Sequence, residues 1–164
     1  MTTSLSHLLW RIGTDTATYT AVDLSGKGAE KTGGRWNRPG LPVVYTASSI
    51  SLAALETVVH LDVGALPLNR YLVRIEVPRD IWDARKVDTA LSLPIGWEAR
   101  PAGIVSLDAG DEWLKGLTSA LYEVPSVIVP EESNVLINPA HPDAKKIKVT
   151  KVRAWLYDPR MRAP

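Results

Sequence analysis

Twelve prolines scattered over 164 residues cut this chain into short elements, and they do not cluster into a linker. The fold must therefore be assembled from brief strands and helices, in one domain spanning 1–164, a size that suits a single core. Residues 8–12 (LLWRI) read as a first strand. Residues 24–40 carry five glycines and little periodicity, so they read as a long loop, a kind that often carries function in compact domains. Residues 42–47 (PVVYTA) read as a buried strand. Ser48 or Ser49 then offers an N-cap for a helix over 50–61. Leu52, Leu55, Val58 and Val59 fall on one face of that helix, with Glu56 at the edge of the face.

Residues 70–77 (RYLVRIEV) alternate and stop at Pro78, the pattern of a half-buried strand. Residues 79–107, with two prolines and two glycines, are ambiguous. A second helix is predicted over 111–122, with Trp113, Leu114, Leu117 and Leu121 at helical spacing. Strands are predicted over 124–129, 134–137 and 147–157, the last with a break in alternation near Thr150 that suggests a bulge. No internal repeat is visible. Strands dominate and helices are interspersed, so an α+β fold with a twisted, mostly antiparallel sheet is expected.

Composition narrows the chemistry. Hydrophobic residues at 45% and charged ones at 23% are globular proportions. A net charge of +1 supplies no general field for nucleic acid or an anionic membrane, so neither is expected as a partner. Any anionic ligand must be gripped by a few well-placed cations. The lack of cysteine excludes disulfides, thiolate catalysis and cysteine-bound metals. His7, His60 and His141 lie far apart without metal-ligand spacing, so no metal is expected. There is no Walker loop, and Gly26, Gly28, Gly33 and Gly34 do not match the dinucleotide-binding fingerprint. His141-Pro142-Asp143 reads as a proline-rich turn. No stretch reaches the ~20 apolar residues of a membrane span. The start, MTTSLSHLLWRIG, lacks the basic beginning and long apolar run of a secretory leader, so the cytoplasm is expected.

Several side chains invite two readings each. In Gly33-Gly34-Arg35-Trp36-Asn37 the glycines allow close approach of backbone to a ligand, and Arg35 can fork two hydrogen bonds onto a phosphate or carboxylate. The same residues could be a surface turn with a solvated Arg. Tyr45, inside an apolar strand, is either a core Tyr whose hydroxyl finds a partner or a ring that stacks on a flat heterocycle. Glu56 among aliphatic neighbours either points to solvent or faces a cleft, because an unpaired buried carboxylate is costly. Ser126, in a predicted buried strand, needs a hydrogen-bond partner: backbone, a ligand, or Glu56. Without a histidine to activate it, Ser126 is a poor nucleophile. Arg11 either snorkels over Trp10 or gives a second phosphate contact.

Three stretches together resemble the RES domain, named for an Arg, a Glu and a Ser: 8–12, 25–60 and 124–143. GGRWN, then VVYTA, then a helix with LAALE is the specific combination, and it aligns Arg35, Glu56 and Ser126 with the three name-giving residues. The resemblance implies a toxin of a bacterial type II toxin–antitoxin pair with a fold similar to ADP-ribosyltransferases of the diphtheria-toxin type. It implies depletion of NAD by hydrolysis or phosphorolysis, or, as in one branch, ADP-ribosylation of a metabolic enzyme. It also implies an Xre-like helix-turn-helix antitoxin whose C-terminal end enters the toxin's pocket. A toxin homodimer within that complex is expected.

The residue chemistry suits that implication. Breaking the nicotinamide–ribose bond creates an oxocarbenium-like centre, which a carboxylate such as Glu56 can stabilise while bonding the ribose hydroxyls. Arg35, with Arg11 as a weaker candidate, suits the pyrophosphate, Tyr45 suits stacking on nicotinamide, and Gly34 permits close approach. Ser126 and Asn134 could orient Glu56 or the ribose. Nicotinamide leaves as a neutral molecule, so no leaving-group acid and no cofactor beyond NAD itself is needed. Water, phosphate or a protein side chain could accept the ADP-ribose, and water or phosphate is ranked first. RNA cleavage is disfavoured by the balanced charge and the lack of a histidine pair; a binding module without catalysis is the remaining alternative.

Overall fold

The computed structural model describes residues 5–62 and 66–161; the first four residues of the leader reading lie outside them. The elements in order are β1 (His7–Thr14), α1 (Lys27–Thr32), β2 (Val44–Ala47), α2 (Ile50–Val58), β3 (Arg70–Val77), α3 (Arg79–Asp83), β4 (Lys86–Val87), α4 (Ile104–Gly116), β5 (Leu121–Pro125), β6 (Ser133–Ile137) and β7 (Lys148–Ala154). Short 3-10 turns lie at Pro142–Lys146, before β7, and at Pro159–Met161, after it. The strands form one seven-stranded sheet in the order β4-β5-β6-β2-β1-β3-β7. Every pairing is antiparallel except β4 with β5. The expected α+β class, with a mostly antiparallel sheet, is therefore what the chain adopts. No helix among the described residues is long and apolar enough to cross a membrane.

At β5 and β6 both faces of the sheet are covered, whereas the edge strand β7 is mostly exposed. In β5, Leu121 packs with Leu9, Val73 and Ile75 on one side, while its neighbour Tyr122 packs with Trp36, Trp113 and Leu136 on the other. Alternate residues of a strand point to opposite faces, so a strand buried twice reads as a continuous apolar run. β6 shows this too, with Val135 and Ile137 in the first cluster and Leu136 in the second. A third cluster, with Ile12, Ala47, Leu52 and Leu72, seats α2 beside β1 and β2.

The sheet is weakest at its centre. β1 pairs with β3 along its whole length, from His7↔Val77 to Thr14↔Arg70, but meets β2 only at Trp10↔Ala47. Beyond that pair the two strands diverge, and residues of both line the same hollow.

The 70–77 strand matches its sequence reading, and Ser49 caps α2 by accepting from the Leu52 N–H at 3.1 Å. Other elements depart from expectation. The second helix is displaced: α4 begins at Ile104 and ends at Gly116, where Leu117 takes a left-handed conformation (φ 52°). Leu121, assigned to that helix by spacing, lies instead in β5, where it pairs with Ile137. Long-range pairing overrides the local period there. The strand expected over 124–129 stops at Pro125, which has no N–H to continue the ladder. The helix from Ile50 ends at Val58 rather than residue 61, and its apolar face is also different: Leu55 and Val59 are exposed, while Leu52, Ala53 and Ala54 are buried. The break expected near Thr150 occurs two residues on, at Val152, where Leu72↔Arg153 is followed by Val73↔Lys151. Part of the long loop, Lys27–Thr32, is helical, with none of its residues buried.

Candidate active site

The hollow between β1 and β2 is a cleft of about 1000 Å³. It is lined by Arg11 from β1, Gly34 and Arg35 from the loop before β2, Tyr45 from β2, Glu56 from α2 and Asn134 from β6. Six of the seven residues singled out in the sequence thus meet on one cavity. The seventh, Ser126, is fully buried directly behind it.

Glu56 lies one turn beyond the buried Leu52, so it shares the face that α2 turns to the sheet. Its Oε1 accepts two hydrogen bonds, from Ser126 Oγ at 2.8 Å and Asn134 Nδ2 at 2.7 Å. Oε2 accepts none from the described residues. One oxygen is pinned and the other is not. Ser126 is no strand residue. It begins a turn after β5, where its Oγ also accepts the backbone N–H groups of Ile128 and Val129, both at 3.1 Å. Its hydroxyl proton is thereby aimed at Glu56. Asn134 sits in β6, opposite Ala47 and Val124. Its Oδ1 is buried without a hydrogen-bond partner. An unpaired buried carbonyl costs about 1–3 kcal/mol, so orienting this carboxylate is done at some expense to the fold.

Arg35 reaches across to residues 97–99. Its Nη1 donates to the carbonyls of Trp97 at 3.1 Å and Ala99 at 2.7 Å. Burial pulls its pKa below the usual value, the Arg100 charge adds to that pull, and the Glu56 carboxylate opposes it. Guanidinium and carboxylate therefore feel each other across one cavity. The Arg11 side chain makes no hydrogen bond with the described residues, and burial lowers its pKa against the pull of Asp23 and Tyr19.

The Tyr45 hydroxyl finds its partners, as the core reading of this residue expects. Its ring lines the cleft, and its hydroxyl is committed: it donates to Asn37 Oδ1 at 2.6 Å and accepts the Trp36 N–H at 3.1 Å. Burial raises its pKa, so it stays a neutral phenol. Gly34 is explained from within rather than by a ligand. A Cβ there would lie 2.6 Å from the Tyr45 hydroxyl and 3.0 Å from Asn37 Oδ1. Its close approach is to its own chain. Gly33 is the glycine that the turn needs for conformation, with φ 69°.

Asn37 was missed as an organiser. It is wholly buried, and its Nδ2 donates to the carbonyls of Ala29 and Leu41 at 2.9 and 3.0 Å. Only its place in GGRWN, a turn-forming context, hinted at this. Replacing Tyr45 by Phe leaves the Trp36 N–H and Asn37 Oδ1 without their partner. We expect a loss of about 1–3 kcal/mol in urea denaturation; an unchanged midpoint would disprove this tie. Arg100, Pro101 and Ala102, from the ambiguous region, also line the cleft. No local signal could have found them. Among the described residues no three His, Asp or Glu side chains gather as metal ligands.

Comparison with known proteins identifies the family. The RES domain family model matches residues 8–159. A protein of Sphingobium sp. (strain YBL2), named Prs ADP-ribosylating toxin, is 62% identical over 161 residues, covering 98% of each chain. Proteins named Toxin Res from Pseudomonas putida and Yersinia enterocolitica are 37% and 36% identical, over 94% and 88% of this chain and 99% and 93% of theirs. With a family match of that extent and relatives of that similarity, the chain belongs to the RES domain family, beside proteins that are toxins by name.

Proposed function

We propose that this chain is a toxin that cleaves the nicotinamide–ribose bond of NAD in the cleft between β1 and β2. The observation that carries the reading is Glu56, held through one oxygen by Ser126 and Asn134 while its other oxygen is left to the cavity shared with Arg35 and Tyr45. A cavity of about 1000 Å³ accommodates a dinucleotide. Glu56 stabilises the sugar cation and bonds the ribose hydroxyls. The fixed ring of Tyr45 offers a platform for nicotinamide. Arg35 grips the pyrophosphate, with Arg11 as a weaker candidate for a further contact. Ser126 and Asn134 act through Glu56 as positioning residues.

The acceptor separates two forms of this reading. Water or phosphate makes the chain an NAD-depleting enzyme. A protein side chain makes it an ADP-ribosyltransferase, which the name of the Sphingobium relative favours. An Xre-like helix-turn-helix antitoxin that inserts its C-terminal end into the cleft, a toxin homodimer and a cytoplasmic setting belong to the same proposal.

Incubating the purified chain with labelled NAD, with and without phosphate and with and without cell lysate, tests it. Nicotinamide is released in every form of the reading. Free ADP-ribose marks hydrolysis, a phosphorylated ADP-ribose marks phosphorolysis, and a labelled protein band marks transfer. No nicotinamide under any of these conditions ends the proposal.

Removing a hydrogen bond to a charged group costs about 1.5–3 kcal/mol. Asn134→Ala and Ser126→Ala are therefore each expected to slow nicotinamide release by about 10- to 100-fold. Their stabilities should differ. Ser126→Ala also orphans two backbone N–H groups and melts earlier, whereas Asn134→Ala removes an amide whose oxygen was already unpaired. Equal turnover in both variants and in the unaltered chain would remove the positioning role.

A further inference from the structure

Residues 88–103 form no helix or strand, yet Arg100, Pro101 and Ala102 reach the cleft. The segment is tied down nearby. Trp97 is buried beside Trp36 and Trp113, and the carbonyls of Trp97 and Ala99 accept from Arg35. One residue further, Arg100 Nη2 donates to the Val127 carbonyl at 3.0 Å. Val127 follows Ser126, which holds Glu56. Arg100 thus bridges the rim of the cleft, from the 97–101 strap to the turn that positions the carboxylate.

A guanidinium has five N–H donors, and this bond uses one. The Nε and Nη1 groups of Arg100 have no partner among the described residues, and neither Arg35 nor Arg100 forms an ion pair there. Two cations side by side at a concave surface repel each other unless an anion lies between them. The carbonyl anchors hold them in place regardless, so their separation is fixed before any ligand arrives. A pyrophosphate carries one negative charge on each phosphoryl group, and two guanidinium forks match it.

We propose that Arg35 and Arg100 form a two-arginine clamp for the pyrophosphate of a dinucleotide, with Arg100 as its outer half. This rests on reading the cleft as a dinucleotide site. It directs the nicotinamide end inward to Tyr45 and Glu56 and the adenosine end out over the strap. The clamp also gives residues 97–101 a purpose that their sequence does not display.

Calorimetric titration of ADP-ribose, nicotinamide and inorganic phosphate into the unaltered chain, Arg100→Gln and Arg100→Lys tests the clamp by binding alone. Arg100→Gln should weaken ADP-ribose about tenfold and flatten its salt dependence, while nicotinamide affinity holds. Arg100→Lys should recover part of the loss. Unchanged ADP-ribose affinity in Arg100→Gln overturns the clamp. So does an equal loss for nicotinamide, which would mark collapse of the strap. Loss of inorganic phosphate binding with ADP-ribose affinity intact would assign the pair to a free anion and overturn it as well. An unaltered chain that binds ADP-ribose through Arg100 but releases no nicotinamide would refute the proposed reaction and leave the clamp standing.

Discussion

Glu56→Gln is expected to lower nicotinamide release on the order of a thousandfold while leaving the fold intact. The amide is the same size as the carboxylate, and its oxygen can still accept from Ser126 Oγ and Asn134 Nδ2. The side chain therefore keeps its place. What changes is the atom presented to the cleft: an amide nitrogen replaces a carboxylate oxygen, and the negative charge is gone. A group placed beside developing charge in a half-enclosed site contributes about 3–4 kcal/mol to the transition state. That corresponds to the stated loss. The melting temperature should stay within a few degrees of the unaltered chain. Turnover within tenfold of normal, in a sample that melts normally, would mean that some other group stabilises the sugar cation.

The same prediction separates catalysis from substrate grip. Arg35 would hold the pyrophosphate in ground state and transition state alike, so losing it chiefly raises KM. Glu56 acts on charge that appears only as the bond breaks, so its loss falls on kcat. The arrangement of the cleft supports this division. The cations sit on β1 and on the loop before β2, and the carboxylate sits on a different element, α2.

What the sequence displayed of this site depended on locality. Glu56 stood out because a carboxylate amid aliphatic residues needs an explanation, and Arg35 stood out because two glycines precede it. Both are local anomalies. The 70–77 strand was legible for the same reason, since alternation survives in a single segment. The elements that were misread are governed by distant partners. Leu121 follows helical spacing from Trp113, but its pairing with Ile137 decides its conformation. Ser126 reads as a strand residue until Pro125 ends the strand and its hydroxyl captures two backbone N–H groups. The strap at 97–101 has no period of its own. It is placed by Arg35, more than sixty positions earlier in the chain. The face of α2 was misassigned because Leu55 and Val59 outweigh alanine on any hydrophobic scale, whereas the tight seat against β1 and β2 takes Ala53 and Ala54 instead.

Gly110→Ala is expected to be the most damaging substitution outside the cleft, costing about 3 kcal/mol or more in urea denaturation. The direction runs against helix propensity. Gly110 lies in the middle of α4, where Ala normally stabilises by about 1 kcal/mol. Here a Cβ would fall 1.7 Å from the Trp36 carbonyl oxygen and 2.6 Å from its carbon. Both are backbone atoms, so no side-chain rotation relieves the overlap. Either the helix lifts or the loop at 33–41 shifts. Arg38 ties that loop to α4, with Nη1 at 2.7 Å from Asp111 and Nη2 at 2.7 Å from Asp108, so both ion pairs are disturbed. Trp36, only 2% exposed, loses its cover. Arg35 precedes Trp36, so even the folded fraction should bind ADP-ribose less tightly. Gly116→Ala provides the control within the same helix, because its added Cβ meets nothing closer than 3.9 Å. That variant should be as stable as the unaltered chain. If Gly110→Ala matched it, α4 could not rest directly on the Trp36 backbone, and the loop that presents Arg35 would have to be held in place by something else.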